Sequence, residues 1–103
     1  MTVTRETGAF VIHDDGTTAG RTEFLDHGPE RIFFHTEIGE EFGGRGLASQ
    51  LIDAALDATA ADGLDVVALC PFVRGRLEKH PEVFQGKWRT ASSNDIDWLK
   101  EQK

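Results

Sequence analysis

Between residues 31 and 69 the hydrophobic period of this chain changes twice, and that change constrains the fold more than any other feature. Arg31 to Ile38 (RIFFHTEI) alternates with a period of two: Ile32, Phe34, Thr36 and Ile38 point to one face, Phe33, His35 and Glu37 to the other. Both faces carry an aromatic ring, which predicts a central strand. From about Gly46 to Asp62 the period becomes helical, with Leu47, Ala48, Leu51, Ile52, Ala55 and Leu56 on one stripe. Gly63 ends the helix, because glycine takes the left-handed conformation there without steric cost. Asp65 to Leu69 (DVVAL) is a short strand rich in β-branched residues. Strand, helix and strand in that order specify one right-handed parallel crossover.

The flanking segments extend this unit. Gly8 to His13 (GAFVIH) reads as a strand, followed by the turn signal Asp14-Asp15-Gly16. Thr18 to Leu25 pairs with it as a hairpin, and Asp26-His27-Gly28-Pro29 is the next break. After Cys70, Pro71 fits the first turn of a short helix over Phe72 to Lys79, which His80-Pro81 ends. Residues 82 to 93 fit no single pattern. Asp95 to Gln102 reads as a terminal helix capped by Asn94 or Asp95, with Trp98 and Leu99 turned inward. The expectation is an α/β (α+β) fold in one domain over 1–103: a mixed sheet with antiparallel N-terminal strands, the crossover, and short C-terminal helices.

Charge and composition narrow the function. The chain has 18 acidic and 11 basic residues, a net charge of -7. A nucleic-acid binder of this size shows a basic face, so no nucleic-acid partner is expected. No apolar run approaches the ~20 residues needed to cross a bilayer, so no membrane partner is expected either. The N-terminus MTVTRETGAF lacks the layout of a leader, and the expectation is a cytoplasmic monomer. A single cysteine, Cys70, leaves no internal disulfide, and no His/Asp/Glu cluster has the spacing of a metal site.

The segment Glu40-Glu41-Phe42-Gly43-Gly44-Arg45-Gly46-Leu47-Ala48 joins the central strand to the crossover helix. Open α/β sheets bind ligands at that end of a strand. Its glycines allow a sharp turn and close approach, the first helix amides lack internal partners, and Arg45 adds a full charge. Such a turn suits an anion, although a tight turn with no ligand has the same spacing. The third glycine of G-x-G-x-x-G is missing, and so is the G-K-[S/T] of a P-loop.

The stretches FFHTEI, GGRGLASQLI and ALCPFVRGRLEKHPE resemble the very small members of the GCN5-related N-acetyltransferase superfamily, over roughly residues 8 to 86. That superfamily's pyrophosphate loop, Q/R-x-x-G-x-G/A, falls on Glu41 to Gly46. Gly44 and Gly46 match, while Glu41 replaces Q/R and leaves the backbone amides to hold the phosphates. The resemblance implies acetyl-CoA as co-substrate, with no metal. It places Phe42, Gly43, Gly44, Arg45, Gly46, Leu47 and Ala48 on the pyrophosphate, and Glu37 and Ile38 beside the pantetheine arm. Phe72 and Arg74, after the C-P pair, are assigned to the same ligand; for Arg74 and for Arg76 beyond it, an acidic acceptor and a plain exposed helix face are the alternatives.

Amide formation from a thioester needs a base for the amine and, for the departing thiolate, an acid. An imidazole is suited to the first role and a thiol to the second, or to covalent relay. His35 in H-T-E and Cys70 in C-P stand where small family members carry these residue types, so both are candidate catalytic residues. A hydrogen-bonded sheet histidine and a buried apolar cysteine are the alternatives. The expected activity is transfer of an acetyl group to the amine of a small molecule or a protein. A non-catalytic module that binds CoA or acyl-CoA is the alternative. Full-length members of that superfamily carry helices between the first two strands that help form the acceptor pocket; here only Asp14 to Thr17 lie there, so the resemblance implies an open acceptor side, and the acidic charge suits a cationic amine.

Overall fold

Each turn signal in the N-terminal half closes an antiparallel hairpin. The computed structural model describes residues 2–40 and 46–102. Six strands form one sheet in chain order: β1 (Thr2–Glu6), β2 (Ala9–Asp14), β3 (Thr17–His27), β4 (Glu30–Ile38), β5 (Asp65–Ala68) and β6 (Trp88–Thr90). The first three pairings are antiparallel and the last two parallel. Asp15 and Gly16, with φ of 52° and 79°, make the two-residue turn between β2 and β3. Two consecutive positive φ values match the twist of a hairpin, and Asp-Gly adopts them readily. Helices α1 (Leu47–Ala61), α2 (Pro71–Lys79) and α3 (Ser93–Glu101) complete the mixed α/β fold.

Two strands extend the sequence reading. β1 leaves only Val3 half-buried and its other residues exposed, so an edge strand of this kind shows no alternation to read. β6 is three residues long and sits at the other edge, inside the segment that fitted no pattern. The cap of α3 is Ser92 rather than Asn94 or Asp95. Its hydroxyl accepts from the Asp95 amide, and the Asp95 carboxylate accepts from the Ser92 amide at 2.7 Å, a reciprocal capping box.

The faces of β4 differ from simple alternation. Glu23 pairs with His35 and Phe24 with Phe33, so one step along β3 matches two along β4. The extra residue, Phe34, is a β-bulge, and it moves every later side chain to the opposite face. Thr36 and Ile38 therefore lie with Phe33, not with Ile32, while His35 and Glu37 lie opposite.

The core sits between the sheet and α1. Leu47, Leu51, Ile52, Ala55 and Leu56 pack against Phe10, Phe24 and Phe33, all buried. The three rings contact one another in sequence, tilted by 32° and 55°, with centroids 5.1 and 5.9 Å apart. Arg31 at the start of β4 is 1% exposed and lies with its guanidinium 4.5 Å from the Phe24 ring centroid. Burial opposes its charge, but hydrogen bonds to Asp26 (2.7 and 3.1 Å) and Asp62 (2.9 Å) more than offset this and raise its pKa. Asp62 is held below its ordinary value by Arg5 and Arg31. This network clamps the end of the sheet opposite the strand-to-helix turn.

Candidate functional site

The site is built where β4 and β5 part. Their parallel pairing runs from Glu30↔Asp65 to Phe33↔Ala68 and stops. The amides of Leu69 and Cys70 both donate to the Phe33 carbonyl, at 3.1 and 3.0 Å. Pro71 then opens α2 and turns the chain away, since proline favours the first turn of a helix and has no amide for a ladder. β4 continues to Ile38, paired on its other side with β3 as far as Gly20↔Ile38. Among the described residues, the backbone of 34–38 on the β5 side has no partner, so it presents an open strand edge.

Gly20 shapes that edge. A Cβ on Gly20 would lie 2.6 Å from the Glu37 carbonyl oxygen and would strike the Ile38 side chain. Only a glycine in β3 allows β4 to close over it here. A glycine inside a strand is a recognised sign of close backbone approach, and this one was missed in the sequence.

The turn into α1 supplies amides that have no partner among the described residues. Gly46 is the N-cap residue, left-handed with φ 72° and ψ 12°, and among the described residues no side chain caps the helix. The Gln50 amide makes the first helical bond, to the Gly46 carbonyl at 3.2 Å. The amides of Leu47, Ala48 and Ser49 precede it and carry the partial positive charge of the helix start. Beside them a cleft of about 410 Å³ lies between α1 and α2, lined by Ala48, Ser49, Phe72, Gly75, Arg76 and Lys79.

The assigned ligand residues separate in this frame. Gly46, Leu47 and Ala48 stand at the helix start, and Ile38 and Glu37 on the open strand. Phe72 is 50% exposed at the cleft, a large apolar ring facing solvent. Arg74 is exposed and does not line the cleft. Arg76 does, but Asp53 holds it with two hydrogen bonds of 2.8 and 2.9 Å and raises its pKa. Among the described residues Lys79 is the other cation of the cleft lining, and the sequence reading gave it no role. Phe42, Gly43, Gly44 and Arg45 lie outside the described residues.

The structure does not bring His35 and Cys70 together. His35 is on the exposed face of β4, with its Nε2 3.4 Å from the Glu37 Oε2. Cys70 is 2% exposed, on the α1 side of the sheet. Its thiol donates to the Thr36 Oγ1 at 3.0 Å, and that oxygen lies 2.8 Å from the Thr22 Oγ1. The bulge at Phe34 is the reason, because it turns Thr36 toward Cys70 and His35 away.

On the His35 face, a second cleft of about 480 Å³ runs between β3–β4 and α3, bounded by Phe34 and Leu69. The divergence of β4 and β5 therefore has a cleft on either side, one reached past Pro71 and Phe72 and the other past Leu69.

The family model described as GCN5-related N-acetyl-transferase matches residues 9–86. The solution structure of a GCN5-like protein from Staphylococcus aureus superposes with a TM-score of 0.68, at 22% identity, over 88% of this chain and 90% of that one. Ard1 from Thermoplasma volcanium gives 0.59 at 18% identity, over 71% of this chain and 54% of its own length. The aminoglycoside N-acetyltransferase AAC(6')-Iy in complex with CoA gives 0.52 at 20% identity, over 73% of this chain and 64% of that one. At these identities the likeness is one of fold. No curated protein matches the chain.

Proposed function

The chain belongs to the GCN5-related N-acetyltransferase family, and we propose that it moves an acetyl group from acetyl-CoA to an amine. The observation that carries this reading is the open edge of β4 at 34–38 together with Gly46 and the first amides of α1, which have no partner among the described residues. An amide-bearing arm that lies along such an edge pairs as an added strand would. A pyrophosphate at the end of that arm meets the Leu47, Ala48 and Ser49 amides and the helix dipole. The cleft between α1 and α2 supplies Phe72 as an apolar wall and Lys79 as a cation for the remainder of the ligand. The residues present therefore fit CoA in shape and charge.

When bound, acetyl-CoA supplies a carbonyl carbon already joined to a good leaving group. The protein's own part is to orient, to take a proton and to exclude competing geometry. We assign the base to His35, which is accessible on the face that carries the second cleft. Glu37 at 3.4 Å steadies the imidazolium that forms when His35 accepts the proton of the amine. Cys70 is a positioning residue in this account. Its buried thiol ties the start of α2 to Thr36 on β4 and so fixes the gap between the parted strands.

Release of the CoA thiol, followed with a thiol reagent over a panel of amines, tests the reading. Acceptor-dependent release that falls sharply in His35→Gln supports it. Binding of acetyl-CoA with no acceptor-dependent release from any amine would leave a CoA-binding module without catalysis.

A further inference from the structure

We propose that the second cleft is the acceptor site and that it takes a free α-amino acid with an apolar side chain. The inference rests on the acetyl-transfer reading for its reaction, but on different residues for its specificity. Arg21, Glu23 and Leu25 alternate with the buried Thr22 and Phe24, so they share the face away from α1. Together with α3 they line the cleft. Leu25, Phe34, Ile96 and Leu99 give it an apolar wall, and Ile96 is 37% exposed with nothing over it among the described residues.

The charges at its rim run against those of the whole chain. The net charge of the protein is -7, yet among the described residues the charged ones lining this cleft are Arg21, Lys100 and Glu23, two cations and one anion. A simple cationic amine, expected from the overall charge, would meet two like charges there. A ligand that carries a carboxylate beside its amine would not.

Arg21 is the residue suited to that carboxylate. Arg31, Arg76 and Arg89 each hold a carboxylate through two hydrogen bonds of 2.7 to 3.1 Å. Arg21 instead makes a single ion pair with Glu23 at 4.0 Å, and its buried Nε has no hydrogen-bond partner. That Nε is closed off from the cleft, but the side chain is 40% exposed and its two terminal nitrogens make no hydrogen bond among the described residues, while Glu37, across from it in the β3–β4 register, is engaged with His35. The terminal nitrogens are the ones open to a carboxylate. Glu23 lies directly across from His35 in the β3–β4 register. An ammonium group against Glu23 is therefore beside the proposed base.

The transfer balances on these groups. The ammonium gives one proton to His35, and its nitrogen lone pair forms a bond to the acetyl carbon. The C–S bond breaks with its electron pair on the CoA thiolate. The second proton released by the nitrogen passes to that thiolate or to solvent. The products are an N-acetyl amino acid and CoA.

Thiol release at saturating acetyl-CoA compares L-leucine and L-phenylalanine with leucinamide and phenethylamine, which lack the carboxylate, and with spermidine. The inference predicts at least a tenfold preference in kcat/KM for the two amino acids, lost in Arg21→Gln and partly kept in Arg21→Lys. Equal or faster reaction of the amines without a carboxylate overturns it, as does a preference that survives Arg21→Gln. If acetyl-CoA itself does not bind, the acetyl-transfer reading fails instead. The cleft is then tested alone, by amide chemical-shift changes on adding L-phenylalanine. Shifts centred on Leu25, Phe34 and Leu99 support the site, and none overturns it.

Discussion

Replacing Gly46 with alanine isolates what the strand-to-helix turn requires. The residue is left-handed, with φ 72° and ψ 12°, and a Cβ built on it meets no atom within 4 Å. Among the described residues the new methyl group therefore meets no neighbour, and its effect on them is conformational. An L-residue other than glycine costs about 1–2 kcal/mol in this region. Alanine also narrows the unfolded ensemble, which returns about 0.4–1 kcal/mol. The net loss is about 1 kcal/mol, a fall in Tm of about 4–8 °C for a domain near 100 residues. If the amides of α1 hold the CoA pyrophosphate only with Gly46 left-handed, relaxation of the turn weakens acetyl-CoA by about fivefold for each kcal/mol. Gly46→Asn is the control, because asparagine tolerates the left-handed region. Scanning calorimetry and isothermal titration with acetyl-CoA read both quantities. An alanine variant as stable as wild type, or asparagine and alanine variants that match in Tm and Kd, would refute the reasoning.

Other perturbations probe other parts of the molecule. Arg31→Met should lower stability in urea by about 3 kcal/mol, the lower end for breaking a buried pair, because Asp26 and Asp62 keep partial access to water. Asp95 is held well below the ordinary carboxylate range by Arg89, with bonds from Ser92 adding to the effect, so its contribution is present above about pH 4 and is lost as pH falls toward its folded value. Asp95→Asn should accordingly be less stable than wild type at pH 7, with the gap closing below about pH 4 in acid-unfolding curves. Cys70→Ala should cost about 1–2 kcal/mol of stability and leave measurable turnover, whereas Cys70→Ser keeps a donor to Thr36; complete loss of transfer in a folded Cys70→Ala protein would return the thiol to the chemistry. His35→Gln should lower kcat by about 10²–10⁴-fold with stability retained, measured by thiol release and thermal melting.

The crossover was legible because its periods are unambiguous. Residues 31–38 alternate, 47–56 repeat every three to four, and Gly63 ends the helix where a left-handed glycine, φ 73°, is found. The bulge at Phe34 was not legible. Nothing in RIFFHTEI marks which residue is extra, since the register depends on how β3 and β4 close over Gly20 and around the Phe24–Phe33 contact. That one residue decides that Cys70 meets Thr36 and that His35 faces the other way. β1 was hidden for a different reason: an edge strand with one half-buried side chain leaves no pattern. The second cleft needs α3 laid across the far face of the sheet, a tertiary fact that local sequence does not carry. The clue that remained was Arg21, a cation between Gly20 and Thr22 in a strand whose neighbours are buried.

The most direct test of the central claim is a backbone amide NMR titration with acetyl-CoA on the full chain. The account predicts the largest shifts at Phe34 to Ile38 along the open edge of β4 and at Leu47 to Ser49 at the start of α1. Saturation without shifts in either segment, or shifts centred on the Arg31–Asp62 end of the sheet, would contradict it.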